Sequence, residues 1–233
     1  FMTGDALAEV WKSQKGEAIY EQAMNAYRQA IQNYPDSQLV ERTSLMLGML
    51  AIDKHDYMTA IRNFNAHIEN KKYEQKQSRH YAMLGLAHSY AKINKLDEAL
   101  ALLGKVEKET KDELLLAEIS VRKGDFYFTA KKFDQACDIY DQAIKKYDVV
   151  SKLFPSAYFN KIEWQFWKNK FKESHLSAIE FVKNFPAHSF APYALTRVGE
   201  LLDILGAEQS QSIGAYLETH FRYGESPKTI VAR

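Results

Sequence analysis

The sequence predicts an all-α protein, a right-handed α–α superhelix of about six helical hairpins. Three observations carry this. A small residue set in a fixed pattern of large apolar ones returns every 37–39 positions along the 233 residues. Gly and Pro, 10 and 5 in number, are too scarce for the turns an all-β chain of this length needs. With 46% hydrophobic and 26% charged residues, the chain has enough apolar surface to bury a core.

The repeat is read first. In each copy a large apolar residue precedes the small residue by three positions, and further packing residues follow it by four and seven. The copies are Tyr20, Ala23, Tyr27, Ala30; Tyr57, Ala60, Phe64, His67; Leu96, Ala99, Leu103, Val106; Phe133, Ala136, Tyr140, Ala143; and Phe171, Ser174, Ala178, Phe181. The small residues lie 37, 39, 37 and 38 apart, and a weaker sixth copy puts Gln211 at this position. A small side chain lets two helices approach closely. Residues four and seven further on share its helical face and seal against a neighbour. A hairpin built this way buries one face only, so it needs a hairpin beside it.

The hairpins expected in chain order are 1–36, 37–76, 77–113, 114–152, 153–188 and 189–226, in one repeat domain. A further helix is expected at 227–233, with Ser226 as N-cap and Pro227 at its first position. In the first helix of four hairpins Gly48, Ala87, Gly124 and Gly199 stand twelve before the small position. A mid-helix glycine costs about 1 kcal/mol against alanine, so its recurrence predicts a close helix contact. Short polar turns, Lys54-His55-Asp56, Ile93-Asn94-Lys95 and Ala130-Lys131-Lys132, join the two helices of three hairpins. Breaks between hairpins carry Tyr34-Pro35-Asp36-Ser37, Phe154-Pro155-Ser156 and Phe185-Pro186-Ala187-His188-Ser189. There proline stops one helix, and Ser or Asp is expected to cap the next. The opening Phe1-Met2-Thr3-Gly4-Asp5 and the cut-off last helix read as a fragment of a longer protein.

Chemistry is sparse. Lys plus Arg (31) against Asp plus Glu (30) leaves a net charge of +1, so no global field draws nucleic acid or an anionic membrane. The longest apolar run, Leu45 to Ile52, is far short of the roughly 20 residues of a membrane-spanning helix. No two of the seven histidines stand three or four apart, and the single cysteine, Cys137, leaves no Cys-based metal site; neither metal nor cofactor is expected. Cys137 follows Ala136 and reads as a near-core residue rather than a nucleophile. No phosphate-binding or nucleophile-elbow motif occurs, so no enzymatic activity is expected. The stretch from Lys161 to Lys172 is the densest in aromatic and basic residues. It could meet nucleic acid or a membrane surface. The preferred reading puts Trp164, Trp167 and Phe171 in the core, with the lysines solvated on the other face, and leaves that surface role as the alternative.

Lys123-Gly124-Asp125-Phe126-Tyr127 through Phe133-Asp134-Gln135-Ala136 to Ile144 resembles the tetratricopeptide repeat (TPR), and the resemblance extends over nearly the whole chain. The period is three to five residues longer than the family's, and the family's Trp near the start of each unit is missing. The longer period and the aromatic-Pro breaks are similar to those of bacterial envelope repeat proteins, of the outer-membrane assembly lipoprotein and Tol-associated coordinator kinds. That implies a periplasmic or envelope location, with the cytoplasm as the alternative.

The resemblance implies that the first helix of each hairpin lines a groove for a protein or peptide partner. The positions carried over are Arg42, Leu45, Met49; Tyr81, Leu84, His88; Glu118, Val121, Asp125, Phe128; Phe159, Glu163, Phe166; and Tyr193, Thr196, Glu200, about half of them expected to be exposed. Tyr81, His88, Phe128, Phe159 and Phe166 are the expected anchors, and Glu118, Asp125 and Glu163 the acids that could orient a basic segment. The Lys/Asn pattern of a carboxylate clamp is absent from this set. The implied function is a protein-binding scaffold; a regulatory repeat domain of a larger enzyme stays open beside it.

Overall fold

A computed structural model of the chain describes residues 1–224. The helix expected at 227–233 lies outside them. Among the described residues there are thirteen α-helices, one 3-10 turn and no strand. Twelve of the helices pair as hairpins. In order these are α1 (Met2–Gln14) with α2 (Glu17–Asn33), α3 (Leu39–Asp53) with α4 (Tyr57–Glu69), and α5 (Gln77–Lys92) with α6 (Leu96–Glu109). Then come α7 (Glu113–Thr129) with α8 (Phe133–Lys146) and, after the single turn α9 (Val150–Leu153), α10 (Ser156–Trp167) with α11 (Phe171–Asn184) and α12 (Ala191–Ile204) with α13 (Gln209–Tyr223). The 3-10 turn Lys71–Tyr73 leads from α4 to α5. The chain forms two compact units, Phe1–Thr110 and Lys111 onward, each with three hairpins.

Ala23, Ala60, Ala99, Ala136 and Ser174 are all buried, as the repeat requires. The sixth copy is one residue out of the expected register. Gln211 is exposed and Ser212 takes the buried place. The cause is local: three residues separate the helices of the second to fifth hairpins, but four, 205–208, separate α12 from α13.

The recurrent glycines meet aromatic rings. A Cβ on Gly48 would lie 2.4 Å from the Phe64 ring, one on Gly124 2.4 Å from Tyr140, and one on Gly199 2.5 Å from Tyr216. Gly4 does the same against Tyr27, and Gly85 meets Phe64 from the side opposite its own hairpin, at 2.3 Å. Where the second helix carries Leu103 instead of a ring, the first carries Ala87; where it carries Ala178, the first carries Ile162. All four of these are fully buried. Helix spacing is thus kept by trading volume across each hairpin, a large residue on one side allowing a small one on the other.

The turns within hairpins share one device. Lys15, His55, Asn94, Lys131 and Asn169 have φ between 55° and 64°, and Gly206 has φ 72°, one left-handed residue in each of the six turns. Of the Ser/Asp caps expected after the proline breaks, one forms, Ser37 Oγ accepting from Leu39 N at 3.3 Å at the start of α3, and none forms on α10 or α12. The N-caps there are Gln38, Pro155 and Phe190, and no side chain caps from those positions. Short i→i+3 turns, such as Val40 N to Ser37 O at 3.1 Å, occupy those groups instead. Side-chain caps occur elsewhere, from Asp56 on α4 and Asp112 on α7.

His67, at a sealing position, is buried, hydrogen-bonded to Ser44 Oγ (2.7 Å) and Ser78 Oγ (3.1 Å), and stacked on Tyr73 at 4.5 Å. It ties α3, α4 and α5 together. Burial lowers its pKa from the ordinary 6.5, with Glu41 pulling weakly the other way. In this direction the unfolded chain binds the proton more tightly, so the contribution is intact above the unfolded pKa and lost as pH falls below it. The urea midpoint is expected to fall between about pH 7.5 and about pH 5. His67→Gln, which cannot take up the proton, is expected to show a shallower fall. Parallel pH profiles for the two proteins would rule out His67 as a source.

Candidate functional site

In the second unit α7, α10 and α12 run parallel. Asp125 on α7 meets Ser156 and Asn160 at the start of α10, and Phe159, Glu163 and Phe166 of α10 meet Phe190, Tyr193 and Arg197 on and just before α12. The candidate residues Glu118, Asp125, Phe128, Phe159, Glu163 and Phe166 all lie on these first helices, each half-buried.

Phe159 is stacked on Phe190 at 4.4 Å and meets Tyr193 edge-on at 5.7 Å. The Arg197 guanidinium lies 4.0 Å from the centre of the Phe166 ring and 5.3 Å from that of Tyr193. It donates to Glu163 at 3.3 Å and is also paired with Glu200. Tyr193 Oη donates to Glu163 at 3.0 Å. Burial opposes the charge on Arg197, but Glu163 and Glu200 more than offset this, and its pKa is raised. The result is a continuous aromatic ladder with a clamped cation in its middle.

The acids on this face are already engaged. Glu118 pairs with Arg122 at 2.7 Å and Glu163 with Arg197. Asp125 accepts from Tyr140 Oη at 2.6 Å, Ser156 Oγ at 3.2 Å and Asn160 Nδ2 at 3.4 Å. Phe128 packs edge-on against Phe133 at 4.9 Å. Of the other positions carried over in this unit, Val121 and Thr196 are buried.

In the first unit Tyr81 and His88 lie on α5. Tyr81 is 40% exposed, and the His88 ring is 6.3 Å from Tyr57. Leu84, between them, is buried. Arg42 and Met49 line a cleft of about 360 Å³ between α1 and α3, floored by Met46 and Leu50 and walled by Asp5, Glu9 and Asp53. Arg42 pairs with Asp5 at 3.2 Å.

The aromatic-basic stretch departs from the core reading. Trp167 is 72% exposed, and Trp164 and Phe171 are only half-buried. Lys161, expected in solvent, is 9% exposed and paired with Asp141. Its position falls on the buried face with Ala157, Tyr158 and Ile162, and its aliphatic stem substitutes for an apolar side chain. Nearby, burial pushes the Cys137 thiol up to about 11, with Lys161 pulling the other way, so it is a protonated thiol at neutral pH. Among the described residues no group of three His, Cys, Asp or Glu could hold a metal ion, and no helix is long and apolar enough to cross a membrane.

A family model described as a tetratricopeptide repeat-like domain matches residues 2–155, well over half of the chain. The chain belongs to this family. Solved TPR-like structures have the same fold. BtubC from P. vanneervenii is 14% identical, with a TM-score of 0.66 over 89% of each chain. MamA is 17% identical, with a TM-score of 0.55 over 78% of this chain and 97% of its own. A tetratricopeptide repeat protein from Parabacteroides merdae is 12% identical, with a TM-score of 0.55 over 95% of this chain and 80% of its own. No curated protein matches the sequence. The residue on this TPR face that sequence reasoning did not single out is Arg197, although its spacing of four from Tyr193 and three from Glu200 places all three on one helical face.

Proposed function

We propose that the chain is a non-catalytic protein-interaction scaffold that binds a helical or extended segment of a partner protein along the first helices of its hairpins. The observation that carries this reading is the ladder Phe159–Tyr193–Arg197–Phe166. Half-exposed aromatic rings, held rigid by stacking and by a bidentate cation, supply contact area at little entropic cost. The engagement of Glu118, Asp125 and Glu163 by neighbouring side chains leaves recognition to the rings and to the aliphatic residues beside them, with charge setting orientation. The partner segment is therefore apolar on one face.

Site-specific photocrosslinking in the native host tests it. A benzoylphenylalanine at Phe166 or Tyr81 is expected to give one discrete adduct with a partner. The same probe at Leu176, exposed on a second helix, is expected to give none. Adducts that form from Leu176 and from neither first-helix position would overturn the assignment.

A further inference from the structure

The two turns that join α7 to α8 and α10 to α11 lie side by side. Trp164 Nε1 donates to Asp134 Oδ1 at 2.9 Å, the Trp164 and Phe133 rings are 4.5 Å apart, and Lys168 Nζ is 3.6 Å from Asp134. These contacts gather Lys131, Lys132, Lys168, Lys170 and Lys172, all exposed, at one end of the second unit. Only Asp134 and Glu173 oppose them within the two turns, and Asp134 is already held by Trp164 and Lys168. Trp167 stands in the middle of this basic cluster, 72% exposed, where burial in the repeat gives no reason for it.

Because α7, α10 and α12 run parallel, the turn after α12 opens at the same end. It presents Ile204 and Leu205, both exposed, beside Asp203, which accepts from Tyr216, and Glu208. The end of the unit thus combines a cluster of lysines with three projecting apolar side chains, and it is not the face of the aromatic ladder.

We propose that this turn-bearing end of the second unit docks peripherally on an anionic phospholipid surface, the lysines meeting the headgroups and Trp167, Ile204 and Leu205 entering the interfacial layer. Tryptophan is the side chain best suited to that layer, apolar in body with one N–H to place among headgroups. A cluster of four to eight lysines beside such anchors is the composition that recognises acidic lipid. Nucleic acid fits less well. The lysines sit on two turn tips rather than along a groove that could follow a phosphate backbone, and the apolar tips of the third turn have no role there. The docking leaves the ladder open, so the scaffold could hold a partner at a membrane.

The test uses the whole chain with phosphatidylcholine vesicles, with and without phosphatidylglycerol, in low salt and then rising salt. The protein is expected to sediment with the anionic vesicles only and to leave them as salt rises. Its tryptophan emission is expected to shift to the blue and to be quenched by brominated lipid, both effects largely lost in Trp167→Phe. Lys131→Glu, Lys170→Glu and Lys172→Glu together are expected to weaken vesicle binding at least tenfold. These positions are exposed, so the thermal melt should hold, and Trp167→Ser provides a second variant with charge unaltered. The proposal is overturned by failure to bind anionic vesicles at low salt, by equal binding to neutral ones, by binding that the charge reversal does not touch, or by tighter binding to a single-stranded or duplex oligonucleotide than to the vesicles.

Discussion

Phe64→Ala is expected to cost the first unit about 3–5 kcal/mol, the range for a buried aromatic. The ring is fully buried and lies between two glycines, Gly48 from its own hairpin and Gly85 from the next. Neither has a side chain that could move into the space, so the cavity stays open. The melting temperature should fall by roughly 10–20 °C. A companion substitution tests the geometry from the other side. Gly48→Ala improves helix propensity by about 1 kcal/mol, yet its methyl would meet the ring at 2.4 Å, and overpacking of this kind costs about 1–3 kcal/mol. A net loss is expected. Adding Phe64→Leu recreates the Ala87 and Leu103 combination of the next hairpin and should recover part of it. If Gly48→Ala alone stabilises the protein, the ring does not set the helix spacing.

Arg197→Ala is expected to cost the second unit about 2–3 kcal/mol, less than for a fully buried pair because Glu163 and Glu200 keep some contact with water. The change removes the cation from two carboxylates and from the Phe166 ring at once. The melting temperature should drop by roughly 5–10 °C. Arg197→Met keeps the stem against Phe166 and should lose less, since part of the arginine's contribution is packing. Equal losses in the two variants would assign the whole effect to charge.

The hairpins were legible in the sequence because a small residue at a close helix contact has few substitutes. The signal at Ala60 or Ala136 survives any surface variation around it. The slip at Gln211 arose from one extra residue in the turn before α13, which moves every side chain on that helix by 100°. Trp167 was misread because its spacing of three from Trp164 suits a core stripe, whereas it lies at the last residue of α10, beyond the stretch that neighbouring helices cover. The candidate residues were legible as first-helix positions, but their contacts were not. That Glu163 is held by Arg197, 34 residues on, and Asp125 by Asn160, 35 residues on, depends on contacts between hairpins. The same holds for Lys161, whose burial follows from Asp141 across the hairpin boundary.

The single left-handed residue in each turn has a consequence for how the chain is made. It lets each pair of helices reverse within two to four residues, so the contacts that define a hairpin join positions close in the sequence. Chains dominated by such local contacts fold in microseconds to milliseconds, and in repeat stacks folding can begin at any unit. A ribosome adds only about 5–20 residues per second. Within each unit folding is therefore expected to follow the order of synthesis, each later hairpin closing as it emerges and packing on the apolar face of the one before it.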